Sequence, residues 1–358
     1  MKDLWFDARY INTSHPDGIS RFSLGLIEEL AKLTDLSVLV SSKAQQKLMP
    51  GGVRTLRVNH PSSPRELLLA RRLKKQNISV LFSPMQVTSS IFRDFKLILT
   101  LHDLIYYRHR KPPEHFNLVI KVIWFLFHMV YWPQRVLLNK ADAVVTVSQT
   151  TKRQMLATGL TKREITVIHN AAEPCEYVKK TNRSKSRDLV YMGSFIGYKN
   201  VETLIRGMGE LPDHRLLLTS RISTRRREQL SALAAEVGGN VEFLDGVTDE
   251  EYFRLLRESK ALVSASLDEG FGIPLVEAME RGTPVVTSDI EIFEEVAGPA
   301  GLRFSPTDPH EFASQVRALD DSAMWKELSE QSLRQSEEFT WPSSARKLLE
   351  LCERVALS

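Results

Sequence analysis

The sequence predicts an α/β protein built from two Rossmann-like halves, and three observations carry the prediction. Short apolar runs alternate with helical patterns over almost the full length, as βαβ units on a parallel sheet require. The chain has 358 residues, beyond the size at which a single core stops growing, so two domains of roughly 170 residues each are expected. Residues 173–187, polar, basic and poor in large apolar side chains, separate the two series and read as the linker. Its charge run could bind phosphate, but a solvated connector is the preferred reading.

In the first half, residues 1–172, the strand candidates are Leu4 to Asp7, Ser37 to Val40, Val80 to Ser83, Lys96 to Leu101 and Ala143 to Ser148. Helices fall between them at Ile19 to Leu33 and Thr150 to Leu156. In the second half, residues 188–341, the candidates are Asp188 to Met192, Arg215 to Thr219, Val241 to Leu244, Ala261 to Ala265 and Pro284 to Ser288. Beyond Trp341 the tail reads as a helix over about 342–358, opened by Ser343 or Ser344 as N-cap.

Composition narrows the class. The chain is 42% hydrophobic and 26% charged, as in soluble globular proteins. A net charge of +4 is mildly basic, compatible with anionic substrates, an acidic membrane surface or nucleic acid. Two cysteines, Cys175 and Cys352, form no CxxC and no Cys/His cluster, so a zinc site and a disulfide framework are not indicated. The N-terminus lacks the apolar core of a signal peptide, and a cytoplasmic protein is expected. The most apolar segment, Leu118 to Trp132, is interrupted by Lys121 and His128 and is too short for a membrane span. A buried core helix is the preferred reading. An interfacial helix is the alternative, because Trp, Phe and the basic residues Arg108, Arg110 and Lys111 ahead of it are what a membrane anchor uses.

Chemistry is declared most clearly in Ser266-Leu-Asp-Glu-Gly-Phe-Gly-Ile-Pro-Leu-Val-Glu277. Two carboxylates, Glu269 and Glu277, flank a turn made by Gly270, Phe271 and Gly272 that leads through Ile273 and Pro274 into a helix. A strand, a glycine turn and a helix start suit an anion, because free backbone N–H groups point at it. One acid can address a sugar ring and the other a ribose diol. A second turn, Gly193-Ser-Phe-Ile-Gly-Tyr-Lys199, follows the first strand of the second half and sets Lys199 beside a bound diphosphate.

This string, continuing through Gly282-Thr-Pro-Val-Val286, resembles the donor-site signature of the retaining glycosyltransferases of family 4, which have the GT-B fold. The resemblance implies two Rossmann-like domains facing across a cleft, with the donor on the C-terminal domain and the acceptor on the N-terminal one. It implies that the final helix crosses back near Trp341 to pack on the N-terminal domain. It assigns Glu269 to the transferred sugar and Glu277 to the ribose. Gly193, Ser194 and Lys199 match the diphosphate motif, but the arginine that the family places there is absent, since Ser194 and Tyr198 stand at the two positions where it is sought. Arg221, just past the next strand, is the candidate replacement, although it could equally begin an exposed basic patch with Arg225, Arg226 and Arg227. Gly18 and Arg21 match the first glycine loop, and Asp7-Ala-Arg9 with them looks most like a bacterial branch that includes many mannosyltransferases. His102, ending the strand Leu97 to Leu101 with Asp103 beside it on the acceptor side, matches the histidine that reaches the transferred sugar. Val247, in Asp245-Gly-Val, matches the wall on which the nucleotide base rests. Ser148, and Asn170 after a further strand candidate Ile165 to Ile168, match positions that stabilise loops.

No Asp-x-Asp triplet stands in a strand-end loop, and the doublet Asp320-Asp321 lies in the C-terminal helical region, so neither a metal nor another cofactor is expected. The resemblance thus implies a hexosyltransferase acting from a nucleotide sugar, first GDP-mannose and second UDP-glucose or a related donor, on a glycan or lipid-linked acceptor. Cell-envelope polysaccharide or glycolipid synthesis at the inner face of the cytoplasmic membrane is the expected setting, with peripheral membrane contact. A catalytically silent sugar-nucleotide-binding subunit is the first rival, admitted by the missing arginine. A nucleic-acid-binding protein is the second, and it lacks any recognisable module for that role.

Overall fold

The computed structural model describes residues 3–14, 17–112, 118–175 and 182–358. The chain divides into two compact units, one of Met1–Ala171 with Thr340–Ser358 and the other of Ala172–Phe339. The first unit holds a seven-stranded parallel sheet of β1 (Leu4–Asp7), β2 (Leu36–Val40), β3 (Arg54–Arg57), β4 (Val80–Ser83), β5 (Lys96–Thr100), β6 (Ala143–Thr146) and β7 (Ile165–Val167). Their spatial order is β3-β2-β1-β4-β5-β6-β7. The second holds six parallel strands, β8 (Asp188–Tyr191), β9 (Arg215–Leu218), β10 (Val241–Phe243), β11 (Ala261–Ser264), β12 (Val285–Ser288) and β13 (Gly301–Phe304), in the order β10-β9-β8-β11-β12-β13.

Both sheets therefore reverse direction of growth next to their first strand, between β1 and β4 and between β8 and β11. Loops leaving the two strands at such a point part company, and ligands of open α/β sheets bind in the resulting crevice. The central strands are continuous apolar runs because helices cover both faces. Leu4, Trp5 and Phe6 of β1, and Leu189, Val190 and Tyr191 of β8, are all buried. Strands β3 and β13 were not predicted by the apolar pattern, and both lie on sheet edges. Arg54 and Arg57 in β3, and Arg303 in β13, break the run there, as charged residues commonly do on an exposed edge.

Three local expectations need correction. The tail helix is Trp341–Leu357, and its N-cap is Thr340, whose side chain accepts from Ser343 N, rather than Ser343 or Ser344. Residues 176–181 of the expected linker lie outside the described residues, but Arg183 just after them is not solvated. Its guanidinium is buried, donates to the carbonyls of Leu256 (2.9 Å) and Gly282 (2.7 Å), and lies 5.0 Å from the Trp325 ring centroid. Burial lowers its pKa to about 10. Finally, the helix Leu118–Met129 is not core: Val122, Ile123, Phe125, Leu126 and Met129 are exposed.

In the first unit the tail helix lies against the helix Gly18–Leu33, where Trp341 stacks over Gly25. A Cβ at Gly25 would stand 2.4 Å from the indole ring, so only glycine allows this approach. Trp341 also meets Phe22 edge-on at 6.4 Å. Gly25→Leu is expected to cost about 1–3 kcal/mol through overpacking and to lower the melting temperature by about 2–4 °C per kcal/mol. Thermal denaturation followed by circular dichroism reads the shift, and an unchanged transition would remove the close packing.

Candidate functional site

The two residues that the sequence singles out most strongly come together at the switch point of the second sheet. Lys199 ends the loop that leaves β8, and Glu269 lies in the loop that leaves β11. The Lys199 ammonium donates to Glu269 Oε1 in a direct ion pair, with the two side chains 17% and 14% exposed. Ser266 Oγ donates to the same carboxylate oxygen at 2.9 Å. Leu267 N donates to Tyr198 O at 2.7 Å, joining the two loops through their backbones.

Asn200 fixes this junction from behind. It adopts φ 52°, a left-handed conformation that asparagine tolerates better than most residues. Its Nδ2 donates to Ala265 O (3.1 Å) and Pro306 O (2.7 Å), and its Oδ1 accepts from Thr203 Oγ1 (3.1 Å). The left-handed turn lifts Lys199 off the following helix Val201–Met208 toward Glu269. Nothing in the local sequence pattern marks Asn200, since its partners lie 65 and 106 positions away.

The glycine loop is shaped by Tyr191. Its hydroxyl donates to Ser194 O at 2.7 Å, and a Cβ on Gly193 would come within 2.8 Å of that hydroxyl. Burial, and then the nearby Glu269 carboxylate, push the Tyr191 pKa up, so it stays a donor. Gly193 N donates to Ser220 Oγ (3.1 Å) in the next strand-end loop. Arg226, read from the sequence as one of an exposed basic patch, is half-buried. Its Nε donates to Phe195 O at 3.0 Å and its Nη2 to Glu202 Oε1 at 2.5 Å, so it pins the loop from outside.

Arg221 follows Ser220, the residue that accepts from Gly193 N. Its side chain packs on Gly246, which has φ 100°, where a Cβ would stand 2.7 Å from Arg221 Cγ. Arg221 is thus set beside Val247 on the β9–β10 side, with the two loops joined by Gly246 N donating to Thr219 O at 3.1 Å. In the other motif, Gly272 has φ 97° and caps the helix Ile273–Met279, Gly270 and Ile273 are half-buried, and Phe271 meets Phe339 edge-on at 5.4 Å. Glu277 is 2% exposed. Asp320 and Asp321 serve structure: Asp320 holds the buried Lys260 in an ion pair, and Asp321 caps the helix Ser322–Ser336.

In the first unit, His102 stands just past β5, next to the β1–β4 switch point. Its Nε2 donates to Pro84 O at 2.8 Å, and its ring meets Phe22 edge-on at 5.2 Å. Because a carbonyl can only accept, the neutral ring carries its proton on Nε2 and offers Nδ1 as an acceptor. Burial lowers its pKa, opposed by the Pro84 hydrogen bond and by Asp17. Asp103 instead caps the turn that follows, accepting from Ile105 N at 2.9 Å. Gly18 is the first residue of its helix, behind the N-cap Asp17, and Arg21 is half-buried in the first turn.

The carbonyl that holds His102 belongs to a turn fixed by a buried ionic cluster. Asp7 accepts two bonds at 2.7 Å from the Arg9 guanidinium, which also donates to Glu66 at 2.6 and 3.0 Å. Thr88 Oγ1 donates to Asp7 Oδ2 (2.9 Å) and is 2.7 Å from Ser83 Oγ, so the turn 83–88 is closed on itself and tied to the cluster through Thr88. The guanidinium offsets one of the two carboxylate charges, and the neutral donors Thr88 and Asn59 stabilise the remaining one, as a buried cluster requires.

His102 is therefore expected to remain neutral at pH values where an exposed histidine is half protonated. The unfolded chain binds that proton first as pH falls, so the depressed pKa contributes stability above the ordinary histidine value that is lost as pH drops through and below it. Nitrogen chemical shifts of His102 through a pH titration read this directly. Protonation at or above the ordinary value near 6.5 would contradict the burial argument.

Comparison with known proteins fits this arrangement. The family model Glycosyltransferase Family 4 matches residues 16–174, and Glycosyl transferases group 1 matches residues 176–335. The chain is 28% identical over 227 residues to the O-antigen chain mannosyltransferase RfbU of Salmonella typhimurium, covering 62% of this chain and 60% of that protein. It is 26% identical over 241 residues to the serotype-specific mannosyltransferase WbdA of Escherichia coli, covering 62% of this chain and 30% of that one. The match thus spans less than two thirds of the length of either relative. Among solved structures, a sucrose-phosphate synthase from Thermosynechococcus elongatus superposes with a TM-score of 0.75 at 18% identity, over 99% of both chains. Anabaena HepE in complex with UDP and glucose superposes with a TM-score of 0.73 at 18% identity, over 98% of this chain and 99% of that one. With two family models matched end to end along two Rossmann-like units, the chain belongs to the family 4 glycosyltransferases and has the GT-B fold.

Proposed function

We propose that the protein transfers a hexose, with retention, from a nucleoside diphosphate sugar to a glycan or lipid-linked acceptor at the inner face of a membrane. The observation that carries this reading is the Lys199–Glu269 ion pair at the β8–β11 switch point. A diphosphate arriving there takes Lys199 as its counter-cation, and the released carboxylate accepts hydrogen bonds from sugar hydroxyls. Lys199 then offsets the charge that grows on the leaving phosphate as the glycosidic bond breaks.

Glu269 is already bonded on one oxygen by Ser266, which suits a group that holds the sugar rather than one that attacks it. We therefore favour displacement on one face of the ring. The acceptor oxygen bonds to the anomeric carbon as the bond to the diphosphate oxygen breaks, and the departing phosphate takes the acceptor proton. His102, neutral and with Nδ1 free to accept, is the first unit's candidate for fixing a hydroxyl. Glu277 is the candidate ribose ligand. Arg221 and Val247 form the candidate base wall. No metal is needed in this scheme, because Lys199 takes the counter-ion role.

Mannose from GDP-mannose is the favoured donor, on the strength of the mannosyltransferase names of RfbU and WbdA. UDP-glucose is the second reading, favoured by the HepE complex with that compound. A catalytically silent subunit stays a distinct reading because Ser194 and Tyr198 replace the expected arginine.

Purified protein incubated with GDP-mannose and with UDP-glucose should release the nucleoside diphosphate from one of them, by transfer or slow hydrolysis. Glu269→Ala and Lys199→Ala should each lower that rate by about 10²–10³-fold, the range seen when one charge-stabilising contact is removed, with the folded circular-dichroism spectrum retained. Undiminished rates in either variant would overturn the site. Ligand-induced thermal stabilisation without turnover would favour the silent reading.

A further inference from the structure

The helix Leu118–Met129 is inverted relative to a helix that covers a core. Its inward side carries Trp124 and His128, with ring centroids 4.1 Å apart, packed on the rings of Tyr106 and Tyr107 at 5.1 Å each. Its outward side carries Val122, Ile123, Phe125, Leu126 and Met129, between 42% and 61% exposed, and Trp132 follows at 68%. Isolated apolar residues are ordinary on a surface, but a continuous patch of this kind marks an interaction site. No helix among the described residues is long and apolar enough to cross a membrane.

Charge around this patch is as uneven as polarity. Between Asp103 and Glu164 the sequence holds ten Lys and Arg against two carboxylates, Glu114 and Asp142, while the rest of the chain holds 38 against 42. All of the chain's net positive charge thus lies in the stretch that contains the exposed helix. Next to that helix, an open groove of about 530 Å³ is lined by Trp132, Arg135, Val136, Asn139, Lys162 and Arg163. Two of its cations are held in place, Arg135 by donating to the Thr158 and Gly159 carbonyls and Arg163 by donating to Asn139 O.

We infer that this face is a docking surface for an anionic lipid bilayer, with the aliphatic side of the helix set into the acyl boundary and the groove cations at the level of lipid phosphates. The combination decides among occupants. A second copy would bring a like-charged face against this one and is repelled. Nucleic acid would satisfy the cations but leave the aliphatic side chains in water. An anionic bilayer satisfies both, and Trp132 at its rim suits the headgroup layer. The purpose of this face rests on the proposal of a membrane-borne acceptor, but its binding does not require sugar transfer.

The test is sedimentation of the full chain with phosphatidylcholine vesicles, with and without phosphatidylglycerol, alongside sedimentation velocity of the protein alone. Binding should be tighter with phosphatidylglycerol and should fall with salt. Ile123→Gln with Leu126→Gln should weaken it at least about tenfold through lost apolar burial. Lys111→Glu with Lys162→Glu should remove at least about fivefold per position of the phosphatidylglycerol preference. All four positions are exposed, and melting temperatures should stay within a few degrees of the parent. Absence of vesicle binding, equal binding by both double variants, or a concentration-dependent dimer abolished by the glutamine variant would overturn the inference. Release of nucleoside diphosphate from GDP-mannose and UDP-glucose, measured on the same preparations, separates the two proposals. Vesicle binding without turnover sinks the transfer reading alone, and turnover without vesicle binding sinks this surface alone.

Discussion

A single ammonium–carboxylate contact, Lys199 on Glu269, is the interaction around which the second unit is organised. Both charges are mostly withdrawn from water, so each is costly without the other, and truncating one leaves its partner poorly solvated. Everything nearby restrains the two loops that present them. Asn200 ties the lysine loop to the ends of β11 and β13, Arg226 ties it to the outer helices, and Leu267 N joins it to the glutamate loop. The pair is thus a stored complementarity: a ligand carrying an anion on one side and hydroxyl donors on the other can replace both halves of the contact at once. A ligand with only one of these groups leaves an unpaired charge.

The first unit uses the same fold differently. At its switch point stands a cluster, Asp7, Arg9 and Glu66, in which one guanidinium serves two carboxylates and neutral donors share the remaining negative charge, and the hydroxyls of Thr88 and Ser83 hold the turn bearing Pro84. His102 takes its tautomer from that turn and its position from Phe22, which is itself packed by Trp341 of the C-terminal helix. The return of the tail to the first unit thus supports the histidine through two ring contacts. Gly25 is what lets the indole come close enough.

The central strands, and the placement of Lys199 and Glu269 in loops that leave such strands, were legible because their signals are local. Buried parallel strands are continuous apolar runs, and Glu269 and Lys199 each end a glycine loop a few residues past such a run. Features defined by distant partners were not legible. Arg183 and Arg226 read as solvated basic residues because nothing nearby in the sequence shows the carbonyls they meet, 99 and 31 positions away. Asn200 and the Asp7–Arg9–Glu66 cluster were missed as site supports for the same reason. Helix 118–129 was read as core because apolar content says that a surface avoids water, not what covers it. Edge strands β3 and β13 escaped because their arginines break the apolar run where a sheet edge tolerates charge.

The central claim is that Lys199 holds the diphosphate and Glu269 the sugar, and calorimetric titration with the donor and with its sugar-free nucleoside diphosphate separates the two roles. The account predicts that Lys199→Ala weakens both ligands by similar factors, whereas Glu269→Ala weakens only the sugar-bearing one. Equal losses for both ligands in Glu269→Ala, or nucleoside diphosphate binding untouched in Lys199→Ala, would contradict it.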